Sequence, residues 1–227
     1  MLKLIIFDWD DVFTRGSSRG YYKCYHEALV KVGAELKREE EFSRLIEYWG
    51  ASHDVILAQL LRERPELIKK ASEIYEKLLF SHKFLGSLSL VPGSNKLLTR
   101  LSSDYKLAII SGAHPKLLKE KVMPLFKVPN VFSHIITAYD IKSPTRVKPH
   151  PYAVRAIMKA EKAKPKETIM IGDAKNDVLM AQNAKIEPVV VLTGHLSPKN
   201  AEELGVKYII NNVTKLPAVL DQIAATA

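Results

Sequence analysis

The 227-residue chain carries 34 Lys+Arg against 25 Asp+Glu, with 47% hydrophobic and 26% charged residues, a balance that excludes a disordered tail and suits a packed core. Cys24 is the single cysteine, which excludes an internal disulfide framework and any multi-cysteine metal cluster and sets the expectation of a reducing, cytoplasmic location. The net charge of +9 suits acidic partners, but zinc-finger spacing, an interleaved aromatic and basic pattern and a basic tail are all missing, so no nucleic-acid partner is expected, and no stretch approaches the roughly 20 apolar residues of a membrane span.

In chain order, Leu2-Lys3-Leu4-Ile5-Ile6-Phe7 reads as a short buried strand, and its early encounter with Asp8, Asp10 and Asp11 does not fit a secretory signal. From residue 17 to 84 apolar residues recur at helical spacing with hardly a strand signal between them, as in Ala28, Leu29, Val32 and Leu36, and this predicts an all-helical insertion. Gly86-Ser87 and Val91-Pro92-Gly93 mark the return from it. Beyond them, strands over 106–111, 132–137, 168–172, 187–192 and 207–210 alternate with helices over 93–103, 115–122, 150–162 and 175–184. That alternation predicts an α/β fold with a helix-covered parallel sheet, and the Ala-rich end at 224–227 is expected to fray. The expected division is a core of residues 1–13 and 90–227 carrying a cap of residues 14–89, hinged near 13–17 and 86–92, where Gly16 and Gly86 permit unusual backbone angles.

In an open parallel sheet, ligands collect beyond the carboxyl ends of the strands, and four polar groups fall there. Asp8 and Asp10 flank Trp9 after the first strand, and an extended chain points both carboxylates into one cavity; an acidic turn capping the next segment explains them as well. Ser111-Gly112 offers a hydroxyl and free amides for anionic oxygens, or a plain helix cap. Lys148, between Val147 and Pro149, can hold a fixed positive charge over a carboxylate and a phosphate. Asp173 and Asp177 stand four residues apart at a starting helix, where they can supply oxygen ligands to a hard divalent cation or stabilise the helix start. Together these groups point to magnesium-assisted handling of a phosphoryl group.

These motifs, in this order, resemble those of the haloacid dehalogenase-like superfamily, in its phosphatase branch with a helical cap. The resemblance implies a Rossmann-like core, Asp8 as phosphoryl-accepting nucleophile, Asp10 as general acid/base, and Ser111 with the Gly112 amide on the phosphate. It also implies Lys148 on the nucleophile and the transferring group, a Mg2+ held by Asp8, the Asp10 backbone carbonyl and Asp173, and Asp177 as a further ligand or a group behind the ligands. Asp11 stands where the family usually has glycine, and Val12 where threonine is common. The implied substrate is a small phosphorylated metabolite, on the pattern of phosphoglycolate phosphatases. A β-phosphoglucomutase-like transferase and a non-catalytic phosphate-binding module are the alternatives, and a monomer and a homodimer are equally open. Arg15, Arg19, Tyr22, His26, Trp49, His53 and Arg62 are the candidate specificity residues of the cap; His114, His150 and His195 lie near the motifs or at the rim.

Overall fold

A four- to six-residue apolar run makes one strand, and its alternate side chains must enter opposite layers. In the computed structural model, which describes residues 1–225, β1 (Leu4–Phe7) follows this rule. Leu4 and Ile6 pack in one cluster with Ala153, Ile157 and Met180, whereas Ile5 and Phe7 face the other, with Leu97, Leu216 and Val219. Both faces being covered, the strand reads as continuously apolar.

Two short strands, β2 (Thr14–Arg15) and β3 (Ser89–Leu90), pair antiparallel, and the Val91 amide donates to the Phe13 carbonyl at 2.8 Å. Between them run α1 (Ser17–Lys31), α2 (Arg38–Glu47), α3 (His53–Leu60), α4 (Ile68–Leu79) and the single turn α5 (His82–Leu85), which make up the helical cap. After β3 come α6 (Ser94–Leu101), β4 (Lys106–Ser111), and α7 (Pro115–Leu117), which continues through a π turn at Leu118–Val122 into α8 (Met123–Leu125). Then follow β5 (Phe132–Thr137), α9 (Tyr152–Ala160), β6 (Thr168–Gly172), α10 (Lys175–Ala184), β7 (Glu187–Val191), α11 (Pro198–Glu203), β8 (Tyr208–Ile210) and α12 (Leu216–Ala225). Residues Ser94, Leu97, Leu98 and Leu101 of α6 and Ala153, Val154, Ile157 and Met158 of α9 turn the buried stripes of these helices to the sheet.

The main sheet is six-stranded and parallel in the order β5-β4-β1-β6-β7-β8. The chain leaves β1 for β4 on one side and later returns to β6 on the other, so β1 lies at the switch point where ligands bind. Among the described residues, no helix is long and apolar enough to cross a membrane.

Three local expectations need correction. Gly86 has an ordinary helical φ of −70°, so it offers no unusual backbone angle. Only Gly16 of the pair does so: its φ is +88°, and a Cβ there would meet the Ser87 carbonyl oxygen at 2.6 Å. The β2–β3 ribbon lies inside the predicted hinges; two-residue strands carry no periodicity from which to read them. Ala224 and Ala225 are helical, whereas the rest of the stretch expected to fray, 226–227, lies outside the described residues.

Candidate active site

Strand register decides what meets at the carboxyl edge of the sheet. Phe7 pairs with Ile109 of β4 and Ile171 of β6, so Asp8, Ser111 and Asp173 emerge at the same edge. The Asp8 amide donates to the Ile171 carbonyl at 2.8 Å, and the chain then turns, with the Phe13 amide reaching the Trp9 carbonyl at 3.0 Å. Asp11 adopts φ +54° in this turn. That left-handed conformation favours glycine and tolerates aspartate better than most residues, which reconciles Asp11 with the family's usual glycine. Its carboxylate accepts from both the amide (2.8 Å) and the hydroxyl of Ser18, in the first turn of α1, where negative charge is favourable.

The floor of the site is a buried charge cluster. Lys148 Nζ lies 2.6 Å from Asp8 Oδ1 and 2.7 Å from Asp177 Oδ1. Asp177 Oδ2 also accepts from the amides of Asp173 (3.3 Å) and Ala174 (3.1 Å), so one side chain both starts α10 and orients the lysine. Burial works against the charge on Lys148, yet Asp177 and Asp8 together hold its pKa above the usual value. Burial pushes Asp8 up to about 7 against the pull of Lys148, and Asp173 well above the carboxylate range. Asp10 rises to about 8, first through burial and then through the fields of Asp8 and Asp11; the Tyr21 hydroxyl donates to its Oδ2 at 3.3 Å.

Carboxylate oxygens of Asp8, Asp173 and Asp177 lie within 4.8 Å of one another, all three buried. Hard oxygen donors with a single lysine to balance them fit a divalent cation such as Mg2+, and the cluster could hold one. A second group, Asp11, Asp173 and His195, is as close, but the Ser18 hydroxyl already bridges Asp11 and His195, 2.7 Å from His195 Nε2. The Thr193-Gly194-His195 loop serves Asp173 instead: the His195 amide donates to Asp173 Oδ2 at 3.1 Å, and a Cβ on Gly194 would stand 1.8 Å from that oxygen.

Above the floor lies a small cavity bounded by both core and cap. Asp8, Asp10, Gly112, Lys148 and Asp177 line its base, and Tyr21, Tyr25, Trp49, His53, Ile56, Tyr75, His114 and Tyr139 its walls. Ser111 and Asp173 do not line it. The Ser111 hydroxyl is buried and accepts from the Ala113 amide at 3.0 Å, and Asp173 sits behind Asp8. Of the seven cap candidates, Trp49 and His53 reach the cavity. Arg15 and Arg19 are exposed, Tyr22 stacks on His26, His26 Nδ1 meets Glu41 at 2.9 Å, and Arg62 pairs with Glu63 in solvent. His114 is in the wall, whereas His150 is not and accepts the Tyr152 amide at 3.1 Å. The wall tyrosines escaped the sequence reading, although Tyr21 and Tyr25, four apart on α1, share a helix face and so carried a signal. Tyr75 and Tyr139 come from distant segments that only the folded chain brings together.

Cap and core touch at backbone distance over this cavity. A Cβ on Gly112 would lie 2.8 Å from the Gly50 Cα, and the Asn176 side-chain amide donates to the Trp49 carbonyl at 2.8 Å. Gly112→Ala is therefore expected to prop the cap away from the floor, lowering kcat/KM roughly 10- to 100-fold while the melting temperature changes little. Steady-state kinetics with thermal melts check this; unchanged kinetics would show that the contact is not part of the working conformation.

The profile of haloacid dehalogenase-like hydrolases matches residues 2–185, a span that contains every group on the cavity floor. The chain belongs to the haloacid dehalogenase-like hydrolase family. Within this family it is 27% identical, over 232 aligned positions, to the glyceraldehyde 3-phosphate phosphatase of Pyrococcus furiosus, covering 97% of this chain and 92% of the relative. It is 28% identical over 119 positions to the pyrophosphatase PpaX of Bacillus mycoides, covering 52% and 54% of the two chains. The crystal structure of a hydrolase from Pseudomonas syringae shares the haloacid dehalogenase-like fold, with a TM-score of 0.80 and 24% identity over 97% of this chain and 99% of that one.

Proposed function

We propose that the protein is a Mg2+-dependent phosphatase that hydrolyses monoesters of small phosphorylated metabolites through a phosphorylated Asp8, with residues 14–89 as its cap. The observation that carries this reading is the pair of carboxylates on one cavity floor. Asp8 is ion-paired to Lys148, and Asp10 is held protonated near neutral pH by burial and its acidic neighbours. The names of the Pyrococcus and Bacillus relatives, which describe hydrolysis at phosphorus, support it.

Asp8 attacks phosphorus, the bond to the ester oxygen breaks, and Asp10 gives that oxygen its proton. Water then attacks the aspartyl-phosphate while the ionised Asp10 takes up its proton, which releases inorganic phosphate and restores both side chains. Lys148 offsets the negative charge that Asp8 and the phosphoryl group bring together. Ser111 and the Gly112 amide, at the end of β4, are assigned to the phosphate oxygens. When bound by Asp8, Asp173 and the Asp10 carbonyl, with Asp177 beside them, Mg2+ supplies charge neutralisation between carboxylates and phosphate.

A panel of phosphate monoesters, with Mg2+ and then with chelator, tests the proposal. Phosphate release that falls at least about 100-fold in chelator and returns with added Mg2+ is the expected result. A folded protein that releases no phosphate from any member overturns it.

A further inference from the structure

The charge of the leaving group can be read from the cavity walls. Among the described residues lining it, Lys148 is the only lysine, and arginine is absent. The lysine's charge is already taken by Asp8 and Asp177, at 2.6 and 2.7 Å. The two histidines supply no cation in its place. Burial lowers the pKa of both His53 and His114, and the ring nitrogens of His53 are engaged, Nδ1 by the Tyr139 hydroxyl and Nε2 by the Ser72 hydroxyl at 2.7 Å. The tyrosines Tyr21, Tyr25, Tyr75 and Tyr139 present uncharged rings and hydroxyls. The cavity is small, with a volume of about 40 Å³.

Resting on the phosphatase reading, we propose that this cavity selects monoesters whose leaving group is small and uncharged, a hydroxylated or carbonyl compound of a few carbons. It rejects those bearing a second anion such as a carboxylate. The phosphoryl group is met by the floor, whereas a carboxylate further in would lose its water among aromatic walls with no free cation to meet it. An uncharged hydroxyl or carbonyl group loses far less than a carboxylate on leaving water for such walls. This substrate class departs from the phosphoglycolate pattern that the sequence resemblance implied, because glycolate carries a carboxylate.

Two readouts keep this selection separate from the reaction itself. In the Mg2+-loaded Asp10→Asn protein, which keeps the Asp8–Lys148 ion pair and turns over alkyl esters slowly, titration calorimetry with glycerol 3-phosphate and with 3-phosphoglycerate compares leaving groups of similar size that differ by one carboxylate. The expected result is binding at least about 30-fold tighter for the uncharged member. Equal affinity, or preference for 3-phosphoglycerate, overturns the inference whether or not the wild-type protein turns over either compound. Turnover by the wild type tests the phosphatase reading on its own. His114→Lys, which places a cation in the wall, should narrow the ratio about 10-fold or more; an unchanged ratio in the folded variant also counts against the inference.

Discussion

Asp8→Asn is expected to lower phosphate release by at least about 10,000-fold while leaving the fold intact. The amide has the shape of the carboxylate and can still accept from Lys148, but it cannot form a stable acyl phosphate. The same substitution carries a stability signature with a defined sign. Asp8 titrates at about 7 in the folded protein, above its unfolded value near 3.8, so the folded state holds a proton that the unfolded state releases. The contribution of Asp8 to the stability of the metal-free wild type should therefore fall as pH rises from about 4 to 7, while Asp10 and Asp173, also raised by burial, extend the loss to higher pH. Asparagine removes the Asp8 share of this dependence, so at pH 8 in chelator the variant should be the more stable of the two, by a margin that shrinks towards pH 4. Thermal melts across this range check the sign, and phosphate release checks the chemistry. Turnover within tenfold of wild type in a folded variant would remove Asp8 from the nucleophile's role.

Asp10→Asn should separate the two half-reactions. With Asp10 unable to donate, esters of alkyl alcohols should react about 100- to 10,000-fold more slowly, whereas p-nitrophenyl phosphate, whose leaving group departs without a proton, should still transfer its phosphoryl group. Hydrolysis of the phosphoenzyme also needs Asp10, so rapid mixing should show a burst of nitrophenolate approaching one per protein molecule, then a slow phase. Trapped phosphoprotein should accumulate in the variant and not in wild type. A uniform loss across both ester types with no burst would point to a positioning effect and not to proton transfer. Burial and the neighbouring Asp8 and Asp11, which keep the Asp10 carboxyl protonated, and the Tyr21 hydroxyl at 3.3 Å, which fixes its position, underlie this expectation.

The sheet was legible because β1, β4, β6 and β7 are buried on both faces and their apolar runs end abruptly in polar residues. Where Asp8, Lys148 and Asp177 come together follows from strand order, and so their grouping was readable through the family motifs more readily than through spacing alone. The cavity walls were not. Tyr75 sits in the cap and Tyr139 in a short turn after β5, and nothing in their local sequence distinguishes an aromatic that lines a cavity from one that fills a core. Gly194 is similar: its importance lies in the 1.8 Å that a Cβ would leave to Asp173, a distance between segments remote in sequence. Asp11 was visible as a departure from glycine, but its φ of +54° and its hold on Ser18 required the backbone.

The β2–β3 ribbon closes the cap's entry and exit onto each other, Thr14 against Leu90 and Arg15 against Ser89. The cap thus leaves and rejoins the core at one place, and a change of length in a cap loop far from the core leaves the spacing between its two ends unchanged. Exchange of wall residues such as Tyr25 and Tyr75 can then proceed as in a cassette, provided that Ser18 and Tyr21, which hold Asp11 and Asp10, are kept.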